Sequence, residues 1–170
     1  RQRQMCIRDR ILIMKDRLNL FKECNAPCMV VAEVSGSIQG KVKIPLSKRP
    51  ILNVDEWKTF YNKISEISKY MEDSGVPLAY HHHMGTVVQS QEDTERLIDN
   101  TSDTVKLLID TGHMMFAGGD FVKIAKDYSS RLHHVHCKDI RKDVLDMSLK
   151  NDLSFIDAFF AGAFTVPGDG

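Results

Sequence analysis

Two short stretches concentrate the side chains of this sequence that can do chemistry. Asp110-Thr-Gly-His113 follows the apolar run Val105-Lys-Leu-Leu-Ile109, and His136-Cys-Lys-Asp139 follows Leu132-His-His-Val135. A third run, Val76-Pro-Leu-Ala-Tyr80, stops in the same manner at His81-His-His83. Imidazoles and carboxylates bind divalent cations and carry protons near neutral pH, so their collection at the ends of hydrophobic runs predicts a metal or acid–base site. If the runs are strands, alternation puts His81 and His83 on one face and His82 on the other, and it sets His134, His136 and Lys138 on a shared face. The competing reading of the histidines is a set of buried, hydrogen-bonded rings with no ligand. Asp110 closes an apolar strand, where an isolated charge is heavily penalised. A metal ion or a cluster of donors is therefore expected around it, unless it caps a helix that follows. Glu33, after Met29-Val-Val-Ala32, is a fourth candidate, with pairing to a buried Lys or Arg as its alternative. Asp139 and Lys138 can equally form a surface ion pair.

Something must hold these groups at one edge, and the rest of the chain alternates in the way that does so. Ile11-Leu-Ile-Met14 with Leu18, Leu20 and Phe21 predicts a helix, and Met29–Val34 a buried strand. Lys41 to Asn53, with Pro45 and Pro50, predicts an extended surface loop. Asp55 is expected to cap a long helix carrying Trp57, Phe60, Ile64, Ile67 and Met71 at spacings of three and four, ended by Gly75. A helix starts at Ser90 or Gln91, another opens at Gly118-Gly-Asp120, and a last one, capped near Asp152 or Ser154, turns Phe155, Ile156, Phe159 and Phe160 inward. Short β-branched runs separated by helix-length segments predict parallel strands with right-handed crossovers. No Gly-x-Gly-x-x-Gly or Walker loop follows any strand, which favours a barrel over a nucleotide-binding sheet. The expected fold class is α/β, a partial (β/α)8 TIM barrel of about four to five βα units.

Composition bounds the partners. With 23 basic and 23 acidic residues among 170, the formal charge is zero. A phosphate-binding surface for nucleic acid and an electrostatic membrane contact are both disfavoured. No apolar run approaches the roughly 20 residues of a membrane span, which predicts a cytoplasmic protein. Cys24-x-x-x-Cys28 lacks the second half of a zinc motif, so the cysteines are expected reduced. Residues 1–10 carry four arginines and no apolar period and are expected to be a non-native tail. Residues 11–170 are then the domain. Its Val166-Pro-Gly-Asp-Gly170 end reads as a loop leading into another element, which predicts an internal fragment.

Ala32-Glu-Val-Ser-Gly-Ser-Ile-Gln-Gly40, Ala79-Tyr-His-His-His-Met-Gly-Thr86, Ile109-Asp-Thr-Gly-His113, His134-Val-His-Cys-Lys-Asp139 and Gly162-Ala-Phe-Thr-Val-Pro-Gly-Asp-Gly170 together resemble the inosose dehydratase family. That family belongs to the xylose-isomerase-like TIM barrels, and the likeness runs from about residue 11 to residue 170. The resemblance implies removal of water from 2-keto-myo-inositol, a small polyol ketone, to give a trihydroxycyclohexane dione in inositol catabolism. It implies Mn2+ or Co2+ as the metal, an association with glutathione, and leaves homo-oligomerisation open. By position it implies Asp110 and His136 as metal ligands, with His81 where related sugar epimerases carry Glu and a last Glu expected beyond Gly170. Acid and base candidates are Glu33, His83, His113 and Lys138. With a ligand missing, the 170-residue chain alone is expected to be inactive. The rival readings are a metal-dependent sugar isomerase or epimerase on the same barrel and a non-catalytic metal-binding fragment. A DNA-repair endonuclease of that superfamily would need a basic face that the charge balance does not supply.

Overall fold

The computed structural model describes the backbone from Ile7 to Gly170 and the side chains from Lys15 onward. Helix α1 (Ile7–Glu23) leads into β1 (Met29–Val31), a 3₁₀ turn at Leu46–Lys48, α2 (Val54–Asp73) and β2 (Leu78–His81). Then come α3 (Gln91–Asp99), β3 (Val105–Asp110), α4 (Thr111–Phe116), α5 (Phe121–Asp127) and β4 (Leu132–His136). The last elements are β5 (Asp139–Ile140), α6 (Lys142–Lys150), α7 (Phe155–Phe160) and β6 (Phe164–Thr165). Strands β1 to β4 form one parallel sheet in sequence order, and β5 pairs antiparallel with β6 in a separate ribbon. Sequential parallel strands with helical crossovers are the arrangement expected of successive barrel units.

Alternation along the strands sorts their side chains into two layers. Leu78 and Tyr80 of β2 and Val105 of β3 pack with Trp57, Ile64 and Met71 of α2 and Leu97 of α3. Leu107 and Ile109 continue that layer against Met114 and Ile124. Ala79 and Leu108 face the other way, with Cys28. Each fully buried large apolar side chain stabilises the fold by about 1.5–3 kcal/mol relative to exposure. This layer is what fixes the height of the strand ends. His81 and Asp110 inherit the parity of Ala79 and Leu108, so both emerge on the face away from the helices.

Strand β4 keeps that parity by an irregularity. Leu107 pairs with Leu132, but Leu108 pairs with His134, leaving His133 as one extra residue in the ladder. The bulge lets Leu132 join the helix-side layer while His134 and His136 pair with Leu108 and Asp110 on the opposite face. His133 itself turns to the Pro27 carbonyl, with Nε2 at 3.1 Å.

Several boundaries differ from the sequence reading. Helix α1 starts at Ile7, within the stretch expected to be a tail, and the rest of that stretch lies outside the described residues. Asn53, not Asp55, caps α2: its side chain accepts from the Glu56 N–H while the Glu56 carboxylate accepts from the Asn53 N–H. The capping box displaces the start by two residues, and Asp55 falls in the first turn, where a negative charge favours the helix dipole. Ser90 does cap α3, with Asp93 closing the same kind of box. Strand β1 stops at Val31, so Glu33 lies beyond it in the following loop. The 41–53 loop is not wholly at the surface, because Leu46 buries itself beside Phe155 and Ile140. Phe155 turns inward as expected, whereas Phe159 and Phe160 are 51% and 78% exposed.

Candidate metal centre

The end of β3 sets the geometry of the site. Asp110 is fully buried and does two things at once. Its Oδ1 accepts from the His113 N–H at 3.0 Å, capping α4. Its Oδ2 turns into the sheet's open face, where His81 Nε2 and His136 Nδ1 each lie at 3.3 Å and His113 Nε2 at 4.0 Å. Lys138 Nζ reaches the same oxygen. The capping and cluster readings of Asp110 are therefore both realised, one by each carboxylate oxygen.

Neighbouring strands supply the rings by pairing. Asp110 sits opposite His136 in the β3–β4 register, and His81 sits opposite Leu108 in β2–β3. His83 follows two residues on and lies against His113, with ring centroids 3.8 Å apart. Its Nδ1 lies 2.9 Å from the Met84 carbonyl, so Nδ1 holds the proton and Nε2 is left as the acceptor. Lys138 is placed by Thr111 and leaves its ammonium toward Asp110, not toward Asp139. Asp139 instead accepts from the N–H groups of Ile140 and Gly168, so the Lys138–Asp139 ion pair does not form.

The electrostatics follow from burial. Burial pushes His83 down to about 4, only partly offset by the Met84 carbonyl, and pushes His113 down to about 2, with the neighbouring His83 adding to the effect. His136 is also lowered, by burial and then by His81 and Lys138. Burial pulls Asp110 upward, but the hydrogen bond to His81, the proximity of His113 and the Lys138 contact outweigh it, and the carboxyl is held well below its usual range. The rings of His83, His113 and His136 are thus neutral and the carboxylate charged at pH 7, which is the protonation state metal binding requires.

The residues fit a divalent ion. His81, Asp110 and His113 each offer a ligand atom, all within 4.8 Å of one another, and His136 Nδ1 borders the same oxygen. His113 Nδ1 is buried without a partner among the described residues. Nitrogen and carboxylate donors of this kind suit Zn, Mn, Fe or Co. His113, expected as an acid–base group, lies within this donor cluster.

A cavity of about 380 Å3 opens above this cluster. His81, His83, His113, His136 and Lys138 line one side, and Phe155, Ile156, Phe159 and Phe164 line the other. Six of the seven site residues named from the sequence are brought together here. Glu33 is not: it lines a separate cavity beside α2, and its carboxylate accepts from the Ser35 N–H at 2.6 Å. Phe155, Ile156 and Phe159 come from the helix expected to turn them inward, whereas Phe164 was not foreseen, because it lies in a two-residue strand and reaches the site only through the β5–β6 pairing.

The family model for xylose isomerase-like TIM barrels matches residues 6–170. The chain belongs to this family. Within it, the chain is 44% identical over 154 residues to an inosose dehydratase of Bacillus cereus, covering 89% of this chain and 52% of that protein. It is likewise 44% identical over 153 residues to the rhizopine catabolism protein MocC of Rhizobium meliloti, covering 90% of this chain and 47% of that one. The chain spans about half the length of the curated relatives it matches. Among solved structures, a probable 3-DHS dehydratase, AsbF, from Bacillus anthracis superposes with a TM-score of 0.64 at 14% identity, over 81% of this chain and 47% of that one. The IolI protein, solved with a zinc atom, superposes with a TM-score of 0.61 at 17% identity, over 83% of this chain and 48% of that one. At these identities the two structures speak for the fold alone. They agree with a xylose isomerase-like barrel whose described part is four parallel strands.

Proposed function

We propose that this xylose isomerase-like barrel serves a metal-dependent dehydratase acting on 2-keto-myo-inositol. The observation that carries the reading is the convergence of His81, His113 and His136 on Asp110 Oδ2, beneath Lys138, in a chain 44% identical to an inosose dehydratase. A bound divalent ion supplies Lewis acidity toward the substrate ketone. His81, Asp110, His113 and His136 hold it, and Mn2+ and Co2+ are the ions to test first because a mixed oxygen and imidazole set accommodates both.

The chain's own groups handle the protons. His83 Nε2, free to accept because Nδ1–H is engaged by Met84, takes the proton from the carbon beside the ketone. The electron pair of that C–H bond becomes the new C=C bond, and the adjacent C–O bond breaks with its pair leaving on oxygen. Lys138 Nζ gives that oxygen a proton, so water departs, and the enol relaxes to the dione. Phe155, Ile156, Phe159 and Phe164 exclude water from one side of the cavity. Glu33 has no part in this step.

The test is turnover of 2-keto-myo-inositol by the full-length protein, metal-free and then loaded with Mn2+ or Co2+, each with and without glutathione. Metal-dependent growth of dione absorbance is expected. An epimer formed without loss of water would replace the dehydratase with an epimerase.

A further inference from the structure

The sheet edge holds one more imidazole that the reaction does not use. His82 is fully buried and does not line the cavity that His81 and His83 line. The β2–β3 ladder ends with the His81–Leu108 pair. Past that pair, where a ladder carbonyl of β2 would otherwise serve, His82 Nε2 accepts from the Asp110 N–H at 3.2 Å. The ring is thus a side-chain substitute for a backbone rung, at the residue whose carboxylate organises the site. Since Nε2 accepts, the ring proton resides on Nδ1, and Nδ1 is buried with no partner among the described residues. An unpaired buried donor is a cost that an apolar side chain of the same size would not carry. The gain that offsets it must come from the other nitrogen.

We propose that His82 is a positioning residue for metal binding: by holding the Asp110 N–H, it fixes the backbone from which Oδ1 caps α4 and Oδ2 faces His81 and His136. Asp110 is then restrained at three atoms. Two restraints come from its neighbours along α4 and the pocket, and the third comes from behind. Outer partners of this kind set the aim of a ligand, and their loss commonly lowers metal affinity about 10- to 100-fold. This inference rests on the metal reading above.

The experiment compares His82→Gln, whose side-chain oxygen can reach the position of Nε2, with His82→Met, which fills the space and lacks a strong acceptor. Both are made in the full-length protein and titrated with Co2+, followed by its visible absorption, alongside metal-free melting temperatures. Wild type and His82→Gln are expected to bind Co2+ within about threefold of each other, and His82→Met about 10- to 100-fold more weakly. A purely structural role would lower both metal-free melting temperatures without splitting the Co2+ affinities, and that result overturns the proposal. So does His82→Met binding as wild type does, with wild type binding normally. Wild type that binds no Co2+ refutes the metal reading, and this proposal with it. Should His82→Met fail to fold, nitrogen-15 NMR of the wild type decides: a coupling across the hydrogen bond between the Asp110 amide and His82 Nε2 is expected, and its absence overturns the proposal.

Discussion

Thr111 grips the backbone of Lys138 from both sides: its hydroxyl donates to the Lys138 carbonyl at 2.6 Å and accepts from the Lys138 N–H at 2.9 Å. Lys138 follows the end of β4 and belongs to no strand, so this hydroxyl does the work a ladder would do. Thr111→Val keeps the shape and removes both bonds, leaving two backbone groups short of partners at about 1–3 kcal/mol each where water cannot reach them. Turnover is expected to fall with it as Lys138 drifts from Asp110, while Thr111→Ser retains both. Equal turnover in the Val and Ser variants would separate Thr111 from the reaction.

Asp110→Asn isolates the charge from the cap. Asn is as good an N-cap as Asp, so α4 and the folded state should survive. The divalent ion loses its one charged ligand among the described residues, and binding is expected to weaken by at least about 100-fold, in line with the several kcal/mol of a close charge pair at an intermediate dielectric. Isothermal titration with Mn2+ reads this directly.

Lys138→Met separates a ligand role from a proton role. The ammonium competes with a metal ion for Asp110 Oδ2, so its removal should leave Mn2+ affinity unchanged or tighter. Turnover should nevertheless drop by about 10²- to 10⁴-fold, the usual range for a lost general acid. Loss of metal binding in this variant would instead make Lys138 part of the scaffold.

Gly112 leaves room that the site uses. A Cβ there would stand 2.8 Å from Lys138 Cβ and 3.0 Å from a ring carbon of Phe164. Gly112→Ala should cost about 1–3 kcal/mol by overpacking. It should also raise the KM for substrate, because it displaces Lys138 and Phe164, which line the cavity, and thermal melts and steady-state kinetics will show both effects.

The start of α7 carries a pH dependence. The Asp157 carboxylate accepts from the Ser154 hydroxyl at 2.6 Å and from the Lys43 N–H at 3.0 Å, and these bonds hold it below its ordinary value of 3.8. A depressed carboxyl stabilises the folded state above the ordinary value and loses that contribution as pH falls through the folded one. The melting temperature of wild type should therefore exceed that of Asp157→Ala at neutral pH, with the gap closing below pH 3.8. A gap that widens in acid would contradict the assignment.

Much of the site was legible because strand alternation and burial act locally. His81 and His83 on one face and the Ser90 cap follow from period two and cap chemistry, whereas the meeting of His136 with Asp110 was implied by the family resemblance. What escaped depends on distant pairing. Helix α6 has no side-chain cap at Arg141, and it is held by Val144 and Leu145 packing near Phe155 and Ile140. Glu33 looked like a strand-end carboxylate because Met29–Val34 is continuously apolar around it, yet β1 stops at Val31, so the loop carries Glu33 to a different cavity. The division of Asp110 between capping and the pocket was posed by the sequence as a choice. A carboxylate has two oxygens, and the fold uses each for one purpose.

The bulge in β4 means that this strand holds one spare residue. Deleting His133 would straighten the ladder and leave His134 and His136 opposite Leu108 and Asp110, at the loss of the contact to Pro27. Deleting Val135 would absorb the bulge as well and keep His136 opposite Asp110, but it would set His133 opposite Leu108 and turn His134 to the helix side. The strand can thus lose one residue without moving His136, and which residue goes decides which imidazole shares the open face with it.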